Sequence, residues 1–119
     1  MNEGIITSFL SGKGGVGKSF ITTNIAIQLT KKGYKTAVID CDLGFSNLST
    51  LINRKVNFTV IDWINQQASL NDICDKAPQF TLLTVSNNFE HNTVNNEILF
   101  NALDQVIKYL KKNYDFVLI

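Results

Sequence analysis

The sequence predicts an α/β fold in which helices cover both faces of a mainly parallel β-sheet. Two observations lead to this prediction. Short apolar runs alternate along the chain with stretches of helical periodicity. The runs are continuous rather than alternating polar and apolar, which is typical of parallel strands buried on both faces. In such a sheet a ligand binds at the carboxyl ends of the strands.

The first 40 residues predict a strand, a loop, a helix and a second strand. Residues 5–10 form a short, largely apolar run that ends in Ser11-Gly12. A helix is expected from Lys18 to Lys32, because Gly33 is placed as a terminator. Its apolar residues recur at four-residue spacing at Ile21, Ile25 and Leu29. The β-branched run from Thr36 to Ile39 then predicts a strand that finishes at Asp40.

The remaining residues predict two more strands and further helices. A short helix is expected at 60–64, and Ser69 to Asp72 resembles a cap that opens another helix. Phe80 to Val85 predicts the third strand and Tyr114 to Ile119 the fourth. Between them, after a polar loop, a helix is predicted from Glu97 to Lys112 with a single apolar stripe. The stripe consists of Leu99, Leu103, Val106, Ile107 and Leu110.

Length and composition exclude several classes of protein. The chain has 119 residues, 45% of them hydrophobic and 18% charged, which is typical of one globular domain. No segment has the length and hydropathy of a membrane span, and no export signal precedes the first strand, so a cytoplasmic protein is expected. Two cysteines and one histidine support neither a disulfide framework nor a zinc site. The net charge of +1 does not predict a specific nucleic-acid partner.

One motif, between the first predicted strand and the first predicted helix, indicates what the chain binds. Residues 12–19 satisfy G-x-x-x-x-G-K-[ST], the P-loop pattern, in the strand-to-helix context that the motif requires. Its glycines let successive backbone N–H groups turn toward an anion, while Lys18 would reach the β- and γ-phosphates and the Ser19 hydroxyl would bind Mg²⁺. The sequence therefore predicts a P-loop NTPase fold that binds ATP with Mg²⁺. The predicted binding residues are Gly12, Lys13, Gly14, Gly15, Val16, Gly17, Lys18 and Ser19.

A dinucleotide-binding site is the alternative interpretation of the same glycines. Gly12, Gly14 and Gly17 also fit G-x-G-x-x-G, and Asp40 lies near the spacing of a ribose-binding carboxylate. The consecutive pair Lys18-Ser19 favours a nucleoside triphosphate. A pyrophosphate bridge needs neither a lysine for a γ-phosphate nor a hydroxyl for magnesium.

A second lysine within the motif indicates a particular family. Residues 11–19 read SGKGGVGKS, and this resembles the deviant Walker A motif of the MinD/ParA family of ATPases. Lys13 is the distinguishing residue. In that family it reaches across a nucleotide-sandwich dimer to the partner's ATP. The resemblance therefore implies ATP-dependent homodimerisation, with Lys13 and Lys18 as catalytic residues.

The segment after the second strand supports the same resemblance. Asp40 and Asp42 lie where the family carries its switch I carboxylates. By analogy Asp42 would activate the attacking water and contribute to the metal site, while Asp40 would hold Mg²⁺ through its water shell. Leu43-Gly44 follows where partition ATPases usually have proline. The segment is therefore most similar to the MinD-like and FlhG (FleN) site-determining ATPases.

The sequence also departs from that group. Ser49 replaces a common aspartate, and Phe20 is bulkier than the usual residue after the P-loop serine. In the family the fourth strand continues into a Walker B aspartate, whereas this sequence ends at Ile119. Residues 1–119 are therefore expected to be the N-terminal portion of a single P-loop ATPase domain. The family's C-terminal amphipathic helix, through which relatives reach the inner face of the cell membrane, is not in this sequence.

The resemblance implies an ATP-hydrolysing, dimerising regulator of flagellar number and placement or of cell division, which acts with a regulatory protein partner. A nucleotide-binding interaction module without turnover is the alternative. A partition ATPase of the ParA type and an NAD-binding domain are further alternatives.

Overall fold

A computed structural model describes residues 4–7, 15–40, 56–85 and 95–119. Within these residues four strands form one sheet in the order β1-β4-β2-β3, and every neighbouring pair is parallel. In chain order the elements are β1 (Ile5–Thr7), α1 (Gly15–Lys31), β2 (Thr36–Asp40), α2 (Val60–Ile64), β3 (Thr81–Thr84), α3 (Asn96–Asn113) and β4 (Phe116–Leu118). The predicted mainly parallel α/β fold is confirmed.

Helices cover both faces of this sheet because successive residues of each strand point to opposite sides. One apolar cluster joins the sheet to α2 and α3; among its members are Ala37, Ile39, Val60, Leu83, Val106, Leu110 and Val117. The other cluster joins the opposite face to α1 and includes Ala26, Val38, Leu82 and Leu118. Burial of the strand residues on both sides explains why the sequence shows continuous apolar runs.

Helix α1 is confirmed, but its buried side differs from the predicted one. The spacing of Ile21, Ile25 and Leu29 predicts an apolar stripe, yet Ile21 is 56% exposed, while Thr22 and Ala26 are buried. A small residue at the contact lets the helix approach the sheet closely, so the helix rests on Ala26, with the larger residues at its flanks. Gly33, with φ of 93°, ends the helix in the left-handed conformation that glycine adopts readily.

The short helix α2 begins with the capping box that its sequence allows. Thr59 accepts a hydrogen bond from the backbone N–H of Asp62, and the Asp62 carboxylate accepts one from the Thr59 N–H at 2.8 Å. The same exchange between Ser69 and Asp72 closes a turn rather than opening a helix, so the predicted helix after Ser69 is wrong. Reciprocal capping bonds stabilise a single turn, but no apolar stripe follows to extend it.

Helix α3 matches its prediction closely. Asn95 caps it by accepting from the Ile98 N–H at 2.9 Å, and Val106 and Leu110 are fully buried. The remaining apolar residues of the predicted stripe, Leu99, Leu103 and Ile107, pack partly buried against the same cluster. No helix in the described part of the chain is long and apolar enough to cross a bilayer.

The packing just before β1 leaves no room for a side chain at Gly4. Its N–H donates to the Lys111 carbonyl at 2.8 Å, and a Cβ built on Gly4 would collide with the Tyr114 carbonyl oxygen. We expect Gly4→Ala to lower the free energy of unfolding by about 1–3 kcal/mol, measured by urea denaturation. Gly33→Ala gives a comparison with a different cause, because a Cβ there meets nothing within 4 Å and only the positive φ of Gly33 opposes it. Equal stability of Gly4→Ala and the parent chain would contradict this packing.

The buried thiol of Cys74 predicts a pH dependence. Burial raises the pKa of Cys74 from 9.0 to about 11, an effect that the nearby Lys76 partly offsets. The unfolded chain therefore releases this proton at lower pH than the folded chain, so stability falls as the pH rises from 9 toward 11. Denaturation curves over this range should show a smaller loss for Cys74→Ala than for the parent chain. An unchanged pH dependence in the variant would disprove the assignment.

Candidate functional site

The carboxyl ends of all four strands meet at one edge of the sheet. The register pairs Leu118 of β4 with Thr7 of β1 and with Val38 of β2. Asp40 lies two residues beyond Val38 on β2, where it pairs with Thr84 at the end of β3. We call this the carboxyl edge. It is where a parallel α/β sheet places its ligands.

Helix α1 begins at this same edge. It follows β1, which ends at the carboxyl edge, and it leads into β2, which starts at the opposite edge only a few residues after Lys31. The helix must therefore run antiparallel to the strands, and its first residue, Gly15, lies at the carboxyl-edge end. The first four N–H groups of an α-helix have no acceptor within the helix and carry a partial positive charge. Backbone donors suited to an anion are thus present at the carboxyl edge.

The side of the sheet on which Asp40 lies follows from the two apolar clusters. Val38 and Leu82 pack in the cluster of α1, whereas Ile39 and Leu83 pack in the cluster of α3. Because strand residues alternate, Asp40 lies on the face that α1 covers. The first turn of α1 and the carboxylate of Asp40 therefore share both an edge and a face of the sheet.

Asp40 is nearly buried, with 9% of its surface exposed. Its backbone carbonyl accepts a hydrogen bond from the Val85 N–H at 3.1 Å, which extends the pairing of β2 and β3 by one residue. A carboxylate so withdrawn from water requires compensating polar or charged groups. A partly desolvated carboxylate on the same edge and face as helix N–H groups is suited to a hydrated cation that accompanies phosphates.

Thr84 adds a second polar group at this position. It is in register with Asp40 and on the same face, it is fully buried, and its hydroxyl has no hydrogen-bond partner in the part of the chain that the structure describes. Thr23 on α1, four residues after Ser19, likewise has a buried Oγ1 without a partner there. The sequence reasoning missed both residues, because threonine is common in strands and helices and belongs to no motif.

The structure describes some of the predicted site residues and not others. Gly15, Val16, Gly17, Lys18 and Ser19 form the first residues of α1, so the second half of the P-loop motif is helical rather than loop. The prediction that the helix starts at Lys18 is therefore wrong by one turn. Gly12, Lys13, Gly14 and Asp42 lie outside the described residues.

The described residues contain no cluster of three or more His, Cys, Asp or Glu side chains that could hold a metal ion. Of the three predicted metal ligands, Ser19 and Asp40 belong to the described residues and Asp42 does not. Mg²⁺ fits this donor set, since it binds through one or two oxygen ligands, keeps several waters and takes the rest from phosphates. The orphan hydroxyl of Thr84 beside Asp40 is consistent with a polar occupant at this edge.

The family of the chain follows from comparison with known proteins. Residues 7–117 match the family model described as the CobQ/CobB/MinD/ParA nucleotide binding domain. The chain belongs to this family. The resemblance noted from Lys13 and the P-loop is thereby confirmed at the level of the family.

Individual relatives agree with this assignment. A putative septum site-determining protein MinD of Guillardia theta is 34% identical over 119 residues, which cover 96% of this chain and 43% of the relative. The flagellum site-determining protein YlxH of Helicobacter pylori is 42% identical over 74 residues, 61% of this chain and 25% of the relative. The septum site-determining protein MinD of Pyrococcus horikoshii, solved in complex with Mg-ADP, superposes with a TM-score of 0.71 at 35% identity, over 96% of this chain and 47% of that one. The chain spans less than half the length of each.

The orphan hydroxyl of Thr84 makes a prediction about stability. A buried polar group without a partner costs about 1–3 kcal/mol, so the isosteric change Thr84→Val should raise the free energy of unfolding of the ligand-free chain by about 1 kcal/mol. Thr36→Val is the matched control on the same face of the sheet, at the first residue of β2. Thr36 donates to the Tyr34 carbonyl at 3.3 Å, and its replacement should destabilise. Urea denaturation distinguishes the two signs, and a loss of stability in Thr84→Val would contradict the assignment.

Proposed function

We propose that this chain binds ATP with Mg²⁺ at the carboxyl edge as part of a MinD-like ATPase, which ATP binding drives to dimerise and hydrolysis resets. The observation that carries the proposal is the shared edge and face of the first turn of α1 and the Asp40 carboxylate. Backbone donors for phosphate and a carboxylate for a hydrated cation are the two halves of such a site. The relative solved with Mg-ADP supports the choice of ligand.

Each predicted residue has a separate role in this proposal. The N–H groups of residues 12–17 hold the phosphates, and Lys18 neutralises charge on the β- and γ-phosphate oxygens. The Ser19 hydroxyl would bind Mg²⁺, and Asp40 would hold the ion through its water shell. When bound, Mg²⁺ neutralises charge that develops on the phosphates.

Hydrolysis in this proposal depends on Asp42 and on a second copy of the chain. Asp42 orients the attacking water and accepts its proton as the oxygen bonds to the γ-phosphorus and the bond to ADP breaks. Lys13 of the partner subunit stabilises the negative charge on the transferring phosphoryl group. The site is therefore complete only in the dimer, and nucleotide state and oligomeric state are linked.

The biological role proposed is that of a spatial regulator of flagellar number and placement or of cell division, working in the cytoplasm with a regulatory protein partner. The similarity to a flagellum site-determining protein and to septum site-determining proteins supports this class of role. Peripheral attachment to the inner membrane surface belongs to the same proposal, through the C-terminal amphipathic helix that the family resemblance implies.

Nucleotide affinity tests the proposed site in this chain. Titration with a fluorescent ADP analogue should show binding that Mg²⁺ strengthens, and Lys18→Ala should weaken it by at least about tenfold, since a charge-assisted contact to phosphate is lost. Asp40→Asn should bind the analogue without magnesium as the parent does and lose most of the gain from Mg²⁺. Lys35→Ala, with the same loss of charge at the opposite edge of the sheet, should change neither. Competition by NAD as effective as by ATP would refute the proposal.

The trans role of Lys13 predicts a separation of binding from turnover. In a protein of the relatives' full length that carries these residues, Lys13→Ala should bind ATP and yet lose at least about a hundredfold in hydrolysis rate. Sedimentation with ATP and Mg²⁺ should show a dimer for the parent protein and less dimer for the variant. An unchanged rate in Lys13→Ala would exclude the sandwich arrangement and favour an interaction module without this chemistry.

A further inference from the structure

A cavity of about 530 Å³ opens at the edge of the sheet opposite the proposed nucleotide site. It lies at the amino ends of β2 and β3, where Thr36 and Thr81 begin the two strands, and between the C-terminal ends of α1 and α3. We call it the amino-edge cleft. Its volume lies within the range of sites that bind small molecules or the side chains of a peptide. All of its lining residues belong to the described part of the chain.

One hydrogen bond and one aromatic contact hold side chains of the cleft in place. The Tyr114 hydroxyl lies 3.0 Å from the Thr81 Oγ1, within hydrogen-bond distance. The ring of Tyr34 meets that of Phe116 edge to face, with centroids 5.1 Å apart and an interplanar angle of 84°. Three tyrosines and Phe80 thus line a recess that is already formed without a ligand. A preorganised aromatic recess favours an apolar or aromatic side chain, because little ordering entropy is lost.

The lysines of the cleft lining and of the adjoining helix ends fall into two groups. Lys31 in α1 and Lys111 and Lys112 in α3 occupy the last turns of their helices, where they offset the partial negative charge of the helix ends. Lys35 and Lys76 belong to neither helix, line the cleft itself and are exposed. Their positive charges are therefore the ones available to a ligand.

Neither cleft lysine is neutralised by a carboxylate of the described residues. The Lys76 ammonium donates to the neutral amide oxygen of Asn71 at 2.9 Å. Asp115, next to Lys35 in space, accepts at 2.8 Å from the Lys35 backbone N–H rather than from its ammonium. The ion pair between Lys108 and Asp104 on α3 lies away from the cleft lining. The cleft thus combines aromatic side chains with two lysine ammonium groups that form no ion pair with a carboxylate in the described ranges.

We propose that the amino-edge cleft docks an acidic segment of a partner protein, whose carboxylates meet Lys35 and Lys76 while an aromatic or aliphatic side chain enters the recess. A bilayer surface is flat and does not fill a recess. Single-stranded nucleic acid needs a row of free ring faces, whereas Tyr109 and Tyr114 are partly buried and Tyr34 packs on Phe116. The proposal is independent of the nucleotide site, since the two lie at opposite edges of the sheet.

The test uses the 119-residue chain and a short fluorescent peptide in which glutamates flank a single phenylalanine. Fluorescence anisotropy should show saturable binding that weakens with added salt, as exposed ion pairs do. Lys76→Glu should raise the Kd about five- to tenfold, and the double change Lys35→Glu and Lys76→Glu should raise it further. Lys108→Glu is the matched control: it makes the same charge change at a site whose side chain is 72% exposed, outside the cleft. It should leave the Kd within about twofold.

Changes to the peptide test whether its phenylalanine and its glutamates both contribute to binding. A peptide with glycine in place of phenylalanine should bind at least about fivefold more weakly, and one with lysines in place of glutamates should not bind. Absence of saturable binding by the first peptide would overturn the proposal. So would an equal effect of Lys108→Glu and Lys76→Glu, which would indicate general charge attraction. Displacement of the peptide by a single-stranded oligonucleotide or by anionic phosphatidylserine vesicles, dependent on Lys76, would overturn it in favour of those ligands.

Discussion

The packing of Val38 between its two strand neighbours is the constraint on which the arrangement depends. Val38 pairs with Leu82 on one side and Leu118 on the other, and all three lie in the cluster of Ala26 on α1. Because side chains alternate along a strand, this register also determines where Asp40 lies. A slip of β2 by one residue would move every side chain to the other face and place Asp40 under α3. The apolar core thus fixes the position of a polar group that does not belong to it.

The same topology separates the two edges of the sheet in chemical character. Parallel strands joined through helices bring all strand carboxyl ends and helix N-termini to one edge and all helix C-termini to the other. The carboxyl edge combines helix N–H groups with Asp40 and Thr84, whereas the amino edge combines lysines with tyrosines. Each edge is therefore complementary to a different kind of anion: the first to phosphate through backbone donors, the second to carboxylate through ammonium groups. Distance between the edges lets each be altered by mutation without disturbing the other.

Much of the fold could be predicted from the sequence because its strongest signals come from burial. The apolar stripe of helix α3 is found at the predicted place, while its Asn95 cap was not predicted. The face of α1 could not be predicted, because spacing alone does not show that the helix would rest on Ala26 and leave Ile21 exposed. The turn at Ser69 shows a similar limit: its capping bonds are real, but a helix also needs tertiary contacts that local sequence does not encode. Asp40 was predicted from its place at the end of the second strand together with the family resemblance, whereas Thr84 became visible only when the register placed it beside Asp40.

Backbone NMR during titration with Mg-ADP measures the central claim most directly, which is that the start of α1 and the end of β2 form one phosphate-and-cation site. The amide signals of residues 15–19, Asp40 and Val85 should shift together with a single Kd, and those of Asp40 and Val85 should shift less when EDTA removes the magnesium. The amides of Lys35 and Thr36, at the amino edge, should remain unchanged. Shifts that cluster at the amino edge, or that spare Asp40 whether magnesium is present or not, would contradict the account.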